Sequence, residues 1–373
     1  MIKIYEPYLS KSALEFAFEA LNSTWISSQG DFISKATESL GDFVETKNCT
    51  LVSNGTVATH TLFHLMRAKF PQIKNIIVPN NVYVAAWNAI LLESYEFNIT
   101  SVDCSLDTWN YDLDELYECI SKNPEEETAL FVVHNVGNII NVPKIKRDFP
   151  NLVILEDNCE GFTGFYENKP SGTESFASSV SFFANKNLTA GEGGAVITKN
   201  KIDTDYVRRF INQGNTDTKF VHDILAQNYR MTNIHASILY GQLTNSHEIL
   251  KLKKQIFDSY EQALSNHEGI LFQKQEQNTS RSNWMFGIRL REHTYEELSN
   301  FLKNREIETR PMFYCYDRHK HLSGIIKPFK SNNTAKKLNK RAIILPSSPN
   351  LEFYEIEEVV DSIFKFLNKG ATK

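Results

Sequence analysis

Short, continuous apolar runs alternate with amphipathic stretches between Ser10 and Asn245. Four of these runs are rich in β-branched residues, and they occupy residues 75–79, 99–103, 129–134 and 151–157. Continuous apolar runs of this length are typical of strands that are buried on both faces, as in a parallel sheet. The stretches between them repeat their apolar positions at helical spacing, as at residues 84–94 and 113–122. The alternation predicts an α/β fold with right-handed crossovers, whose ligands bind at the carboxyl ends of the strands.

The pattern changes after Gln242. A charged helical stretch at residues 247–267 leads into shorter, mixed elements, and these end in an amphipathic helical pattern at residues 353–370. We therefore predict two domains. The large α/β domain spans residues 1–245, with the N-terminal arm included, and the smaller α+β domain spans residues 246–373.

Composition narrows the class of protein. The formal net charge of −5 argues against a general nucleic-acid binder, which needs a net basic face. No apolar run reaches the ~18–20 residues of a membrane helix, and the first twenty residues lack the features of a signal peptide. The cysteines are odd in number and show no CxxC spacing, which is typical of reduced thiols. We expect a cytoplasmic protein without nucleic-acid or membrane partners. The cysteines are Cys49, Cys104, Cys119, Cys159 and Cys315.

Lys186 follows an apolar strand pattern at residues 179–183 and precedes a glycine-rich turn at residues 191–194. A lysine just past a buried strand is partly desolvated, and desolvation leaves a nucleophilic amine for Schiff-base formation. The glycines would let the backbone approach a cofactor closely. Taken alone, this pattern is more often a solvated loop lysine.

Two further motifs lie at strand ends. The run at residues 151–157 ends in Asp157, where a carboxylate would keep the pyridine nitrogen of pyridoxal phosphate (PLP) protonated. The alternative is an acidic helix N-cap. Asn54, Gly55 and Thr56 precede an apolar helical pattern, so the N–H groups of that helix start could hold a phosphate. Most isolated sequences of this kind are only caps.

The three motifs occur in the order phosphate cradle, pyridinium partner and Schiff-base lysine. In this order they resemble the fold-type I aminotransferases, and more narrowly the StrS/DegT family of nucleotide-sugar aminotransferases. The resemblance covers nearly the whole chain and is most specific in EDNCEGFTGFYENKPSG, SFFANKNLTAGEGG and NYRMTNIHASILYGQL. It implies the PLP-dependent transferase fold of type I, with a mostly parallel sheet sandwiched by helices and a smaller C-terminal α+β domain.

The resemblance also implies a role for each matching residue. Lys186 binds PLP covalently and later moves the proton, Asp157 pairs with the pyridine nitrogen, and Tyr83 stacks on the ring. The phosphate ligands are Gly55, Thr56, Ser181 and, from the neighbouring subunit, Asn228. Because Asn228 comes from a second copy of the chain, the resemblance makes a homodimer part of the site. The candidate substrate-binding residues are Trp25, Ser28, Arg310, Tyr314 and His319.

Three positions depart from the family's usual pattern. Glu160 stands where the family commonly has a glutamine near the cofactor hydroxyl, and a glutamate there is similar to perosamine-synthase members. Val57 stands where an aspartate is frequent. The segment at residues 315–322 lacks the usual proline. A dehydratase branch of the fold carries histidine in place of the lysine, so Lys186 argues against that branch.

Several other features have competing interpretations. His60 and His64 have the i,i+4 spacing of zinc ligands, but no third ligand is evident, so we expect helix-packing histidines and no metal site. Residues 317–321 are either a diphosphate-binding segment or a solvated loop. Three tryptophans could all belong to the core, although the first lies in a stretch that resembles a substrate-side loop. They are Trp25, Trp87 and Trp109.

The resemblance implies an aminotransferase with L-glutamate as donor and pyridoxamine phosphate as the intermediate cofactor form. The acceptor would be a UDP-, dTDP- or GDP-linked 4-keto-6-deoxyhexose, and the product a 4-amino-4,6-dideoxy sugar nucleotide of the viosamine or perosamine type. Two alternatives stay open. One is an aminotransferase for a 3-keto sugar nucleotide or another keto substrate. The other is a catalytically silent protein that binds PLP or a sugar nucleotide.

Overall fold

A computed structural model describes residues 1–369 of the chain. The α-helices are α1 (Lys11–Asn22), α2 (Asp31–Phe43), α3 (Gly55–Lys69), α4 (Ala85–Glu93), α5 (Leu113–Ser121), α6 (Val142–Asp148), α7 (Lys201–Phe210), α8 (Asn233–Thr244), α9 (Ser246–Leu264), α10 (Tyr295–Lys303), α11 (Asn333–Arg341) and α12 (Phe353–Lys369). Short 3₁₀ turns lie at Glu125–Glu127, Asn135–Gly137, Tyr316–Arg318 and Lys320–Leu322.

The strands are β1 (Cys49–Val52), β2 (Asn75–Pro79), β3 (Asn98–Val102), β4 (Thr128–Val133), β5 (Val153–Asp157), β6 (Phe165–Tyr166), β7 (Lys169–Pro170), β8 (Ala177–Ser181), β9 (Gly194–Thr198), β10 (Ile270–Phe272), β11 (Thr279–Ser280), β12 (Gly287–Leu290), β13 (Arg310–Pro311), β14 (Ile326–Pro328) and β15 (Ala342–Ile344). The four apolar runs of the sequence correspond to β2, β3, β4 and β5, so those strand predictions are confirmed.

The large sheet has eight strands in the order β1-β9-β8-β5-β4-β2-β3-β14 within the described residues. Strand β9 pairs antiparallel with both of its neighbours, and the other pairs are parallel. Helices cover both faces of the sheet. The prediction of a mostly parallel sheet sandwiched by helices is therefore confirmed.

The central strand β4 shows why continuous apolar runs form this sheet. Successive side chains of a strand point to opposite faces. Ala129 and Phe131 accordingly pack into the cluster that contains α3 and α4, whereas Leu130 and Val132 pack into the cluster that contains α5 and α6. All six residues of β4 are buried. Each face of the strand thus contacts a helical layer, and a polar residue on either face would lack water.

A second, antiparallel sheet of four strands has the order β10-β12-β15-β13 and packs against α9, α10 and α12. Strand β14 does not join it but pairs in parallel with β3 of the large sheet. The N-terminal arm also contacts this second layer, since Ile2 forms a bridge with Ile307. The boundary at residues 245 and 246 coincides with the start of α9, but it stays a prediction, and residues 370–373 lie outside the described residues.

No helix of residues 1–369 combines the length and the apolar character that crossing a membrane requires.

A buried lysine lies where the two layers meet. Lys253 of α9 is fully buried, and its Nζ donates to the carbonyl oxygen of Trp284 at 2.8 Å and to that of Ser347. No ion pair joins it to a carboxylate among residues 1–369. Burial lowers the pKa of Lys253 well below its ordinary value, because desolvation disfavours the ammonium form.

The Lys253 side chain makes stability depend on pH. Its pKa is lower in the folded chain than in the unfolded chain, so the folded state binds fewer protons and becomes more stable as pH rises towards ~10.4. Lys253→Met removes this dependence and leaves two buried carbonyl groups unpaired. We expect it to lower the free energy of unfolding by about 2 kcal/mol at pH 7 and by more at pH 9 in urea titrations.

The matched control is Lys251→Met, which changes an exposed lysine of the same helix. It should leave both titrations close to those of the unchanged protein. A Lys253→Met loss that is the same at pH 7 and pH 9 would contradict the effect of burial on this amine.

Candidate active site

The carboxyl ends of three strands meet at one edge of the large sheet. Strand β1 leads into Asn54 and α3, β5 ends at Asp157, and β8 ends at Ser181 and leads into Lys186. A cavity of about 770 Å³ lies at this edge. Ten residues that the sequence singled out line it, and they are Gly55, Thr56, Tyr83, Asp157, Glu160, Ser181, Lys186, Arg310, Tyr314 and His319.

The start of α3 forms one wall of the cavity. The Asn54 side chain accepts from the N–H of Val57 at 3.0 Å, which leaves the N–H groups of Gly55 and Thr56 without an acceptor among the described residues. A Cβ added to Gly55 would lie 2.7 Å from the Ser181 Cβ, so only glycine permits this close approach of α3 to the end of β8. Free N–H groups at a helix start beside a serine hydroxyl fit a phosphate group.

Asp157 and Lys186 lie on neighbouring segments. The Asp157 carboxylate is 9% exposed and accepts from the N–H of Cys159 at 3.0 Å, which fixes its orientation. The loop that carries Lys186 turns through a hydrogen bond from its N–H to the carbonyl of Phe183 at 2.9 Å. The Lys186 side chain is half-buried. A buried carboxylate and a lysine amine beside a phosphate cradle fit the ring nitrogen, aldehyde and phosphate of PLP.

A buried pair of side chains lies next to Asp157. Glu156, the residue before Asp157 in β5, and His134 are both fully buried, and the Nε2 of His134 lies 2.8 Å from the Glu156 carboxylate. The His134 Nδ1 accepts from the N–H of Ile140 at 3.1 Å, so its Nε2 carries the hydrogen that is donated to Glu156. Buried polar groups with satisfied partners specify one conformation.

Glu160 contributes a second carboxyl group to the cavity. It accepts from the N–H of Val136 at 2.8 Å. Burial raises the pKa of Glu160 to about 7, although the charge of Lys186 and the Val136 N–H act in the opposite direction. Glu160 therefore holds a proton at a higher pH than an exposed glutamate does.

The mouth of the cavity is both aromatic and basic. Tyr83 is 60% exposed, and its ring centroid lies 6.1 Å from that of Phe313. Arg310 and Tyr314 are exposed, and His319 is partly buried. Desolvation and the neighbouring His321 lower the pKa of His319. Aromatic faces and positive charge at one opening suit a flat ring and an anionic substrate.

Three of the sequence-derived candidates do not line this cavity. Trp25 is 60% exposed, which corrects its interpretation as a core residue. The Ser28 hydroxyl accepts from Arg230 Nε at 3.0 Å and lines a separate cavity of about 590 Å³. Asn228 is exposed and forms a bridge with Asn212. Their binding roles stay predictions.

The structure also places the two histidines of α3, the segment at residues 317–321 and the two remaining tryptophans, for which the sequence left more than one interpretation. His64 stacks on Phe210 with ring centroids 3.8 Å apart, and both His60 and His64 contact the carboxylate of Glu93. Residues 1–369 contain no group of three or more side chains that could hold a metal ion. In the segment at 317–321, His319 lines the cavity and its neighbours are exposed. Trp87 and Trp109 are fully buried and belong to the core.

Trp284 is a cavity residue that the sequence did not indicate and that contacts Lys186. Its ring centroid lies 3.9 Å from Lys186 Nζ, and its Nε1 donates to the carbonyl of Asn185 at 2.8 Å. The segment that carries it comes from the C-terminal part of the chain. No local pattern marks Trp284, because its contact with Lys186 joins segments that are distant in sequence.

A lysine, an aspartate and a phosphate cradle at the carboxyl edge of this sheet define a PLP-dependent enzyme of fold type I. Residues 7–364 match the model of the DegT/DnrJ/EryC1/StrS aminotransferase family, and the chain belongs to that family. It is a PLP-dependent nucleotide-sugar aminotransferase.

Relatives and solved structures agree with this assignment. The chain is 32% identical to a GDP-perosamine synthase of Escherichia coli O157:H7, over 98% of both chains. It is 31% identical to a GDP-perosamine synthase of Vibrio cholerae, over 99% of this chain and 100% of the relative. An aminotransferase structure from Streptoalloteichus hindustanus shares the fold with a TM-score of 0.88 and 18% identity, over 100% of both chains.

Glu160 makes the stability of the cofactor-free protein depend on pH. A raised pKa means that the folded chain binds more protons, so the protein loses stability as pH rises from ~4.5 through 7. Glu160→Gln removes this loss. We expect urea titrations at pH 5 and pH 8 to show that the variant gains up to about 3 kcal/mol relative to the unchanged protein between these pH values.

The control is Glu167→Gln at an exposed glutamate, which should follow the unchanged protein at both pH values. If the Glu160→Gln protein also loses stability in parallel with the unchanged protein, Glu160 does not titrate in this range.

Proposed function

We propose that the chain transfers the amino group of L-glutamate to carbon 4 of a GDP-linked 4-keto-6-deoxyhexose. The product is a GDP-linked 4-amino-4,6-dideoxy sugar of the perosamine type. The convergence of Lys186, Asp157 and Glu160 in one cavity carries the proposal for the reaction class. The identities of 32% and 31% to two GDP-perosamine synthases support GDP as the nucleotide and carbon 4 as the acceptor.

Bound PLP supplies an electron sink that makes the α-hydrogen of an amino donor acidic. Five residues would hold it beside Lys186. The N–H groups of Gly55 and Thr56 and the hydroxyl of Ser181 would bind the phosphate, and the Asp157 carboxylate would keep the proton on the ring nitrogen. The exposed Tyr83 ring would pack on a face of the cofactor ring.

Lys186 would hold PLP covalently in the resting enzyme and would move the proton during turnover. Once the amino donor has displaced it, its neutral Nζ would take the proton from the donor α-carbon and pass it to the cofactor. In the second half of the cycle the transfer would run in reverse, and the same nitrogen would deliver a proton to the sugar carbon. One amine serves as base and then as acid because its protonation alternates between the two steps.

The mouth of the cavity supports binding of a nucleotide sugar. Arg310 is positively charged and exposed there, so it is available to the diphosphate of the substrate. His319 and Tyr314 lie on the same side and come from the segment after β13. Glu160, deeper in the cavity, is placed to contact the cofactor hydroxyl or the keto group.

A homodimer with shared active sites is part of the proposal. Phe220 and Leu225 are 83% and 90% exposed, and they lie in the segment that leads to Asn228. Two large apolar side chains with this exposure in one short segment support a surface that a second copy covers. A second copy on this surface would cover the apolar side chains and carry Asn228 towards the phosphate cradle of its partner.

A cytoplasmic location is part of the proposal. One alternative stays open, since an aminotransferase for a 3-keto sugar would give a 3-amino product. Membership of the aminotransferase family argues against the other alternative, a catalytically silent protein that would bind PLP and leave it unchanged by glutamate.

The reaction is tested by absorbance titration of the PLP-loaded protein. We expect L-glutamate to remove the visible cofactor band and GDP-4-keto-6-deoxy-D-mannose to restore it, because the two half-reactions interconvert the cofactor forms. The UDP- and dTDP-linked 4-keto-6-deoxyglucoses serve as controls and should restore less. No response to glutamate would refute the donor, and recovery with another nucleotide alone would refute GDP. NMR of the product identifies the aminated carbon.

The shared site is tested by mixing two inactive variants. Lys186→Ala removes the amine, and Asn228→Asp places a negative charge against the phosphate. If Asn228 acts across the dimer, half of the randomly reassociated dimers contain one intact site, so about a quarter of the activity returns. If it acts within its own chain, none returns. Gln227→Glu makes a similar charge change at the exposed neighbour and should retain PLP binding.

A further inference from the structure

Trp284 lies directly against the side chain that the proposed reaction uses. Its ring is 6% exposed, and the Lys186 Nζ lies over it at 3.9 Å from the ring centroid. A lysine ammonium within about 6 Å of an indole face is attracted by the negative potential of that face. The indole Nε1 also donates to the carbonyl of Asn185, the residue before Lys186. Trp284 thus contacts the Lys186 loop through its face and through its edge.

The buried Lys253 holds the backbone of Trp284 through a hydrogen bond. The Lys253 Nζ donates to the carbonyl of Trp284 at 2.8 Å and also to that of Ser347. The Ser347 hydroxyl accepts from the N–H of Phe286 at 3.1 Å, two residues beyond Trp284. These bonds connect α9, the segment before β12 and the segment after β15, so they fix the backbone that carries the indole, and the bond from Nε1 to the Asn185 carbonyl fixes the ring.

Tyr5 of the N-terminal arm also contacts the Lys186 loop. The Tyr5 hydroxyl donates to the carbonyl of Lys186 at 3.3 Å, and the Lys253 Nζ lies 5.1 Å from the centroid of the Tyr5 ring. Burial raises the pKa of Tyr5, so the hydroxyl keeps the hydrogen that it donates. Lys253 therefore contacts both Trp284 and Tyr5, the two residues that bond to the Lys186 loop, and it does not line the cavity itself.

We propose that Trp284 is a positioning residue whose ring face holds the Nζ of Lys186 while that nitrogen carries a proton between its transfers, and that Lys253 and Tyr5 hold this arrangement in place. The inference rests on the proposed role of Lys186 as the cofactor-bearing lysine. A freed amine that stays on the indole face returns to the same place after each proton transfer.

The test measures how readily Lys186 reacts as a neutral amine. Full-length protein is labelled briefly with acetic anhydride between pH 6 and pH 10, and acetylation of Lys186 is quantified by peptide mass spectrometry. Two forms are compared, one without cofactor and one saturated with pyridoxamine phosphate, in which Lys186 is free. Trp284→Leu should raise the labelling rate by about three- to tenfold at pH 7, because the cation loses ~0.6–1.4 kcal/mol of stabilisation.

Two smaller side chains at position 284 separate charge from access. Leucine and phenylalanine both leave more room than tryptophan does, but only phenylalanine offers an aromatic face to the cation. Trp284→Phe should therefore restore most of the slow labelling. If wider access alone raised the rate, Trp284→Phe would be labelled as fast as Trp284→Leu, and that outcome would overturn the proposal.

Two further variants complete the comparison. Trp109→Leu makes the same change at a fully buried tryptophan that does not line the cavity, so the Lys186 profile should not move. Lys253→Met should shift the profile in the direction of Trp284→Leu by a smaller factor. Labelling of the cofactor-free chain involves no turnover, so failure of the aminotransferase reaction would leave this result unaffected. If Trp284→Leu leaves the labelling of Lys186 unchanged, the positioning role of Trp284 is refuted, whereas the proposed aminotransferase reaction is not.

Discussion

Asp157 and Ser179 are partners in the parallel pairing of β5 with β8, and this pairing sets the positions of Asp157 and the Lys186 loop relative to each other. Since parallel strands end at the same edge of a sheet, the carboxylate at the end of β5 lies beside the loop that carries Lys186. The start of α3 reaches the same edge because Gly55 packs against Ser181 with no room for a side chain. Phosphate cradle, carboxylate and amine are thus brought together by backbone pairing.

The C-terminal part of the chain encloses this edge. Trp284, Arg310 and His319 all come from it and line the same cavity as the residues of the large sheet. Enclosure changes the chemistry, because burial raises the pKa of Glu160 and strengthens electrostatic contacts with Lys186. The junction depends on Lys253, whose buried amine binds two main-chain carbonyls in place of a carboxylate.

The sequence predicts what local patterns encode. Strand β2 matches its predicted apolar run, because burial on both faces requires a continuous run of apolar residues. Asp157 and Lys186 were identified because they end or follow such runs and match family motifs. Trp284 was missed because its contact with Lys186 joins distant parts of the chain. A single chain cannot place Asn228, since the proposed contact belongs to a second copy.

The central claim is that Lys186, and no other lysine, bonds to PLP. Borohydride reduction of the PLP-loaded protein fixes the cofactor to its lysine, and peptide mass spectrometry then locates it. The account predicts the added mass on the peptide that contains Lys186, and a Lys186→Ala protein that carries none. Labelling of Lys253, the buried lysine whose pKa burial lowers, or of a surface lysine would contradict the account.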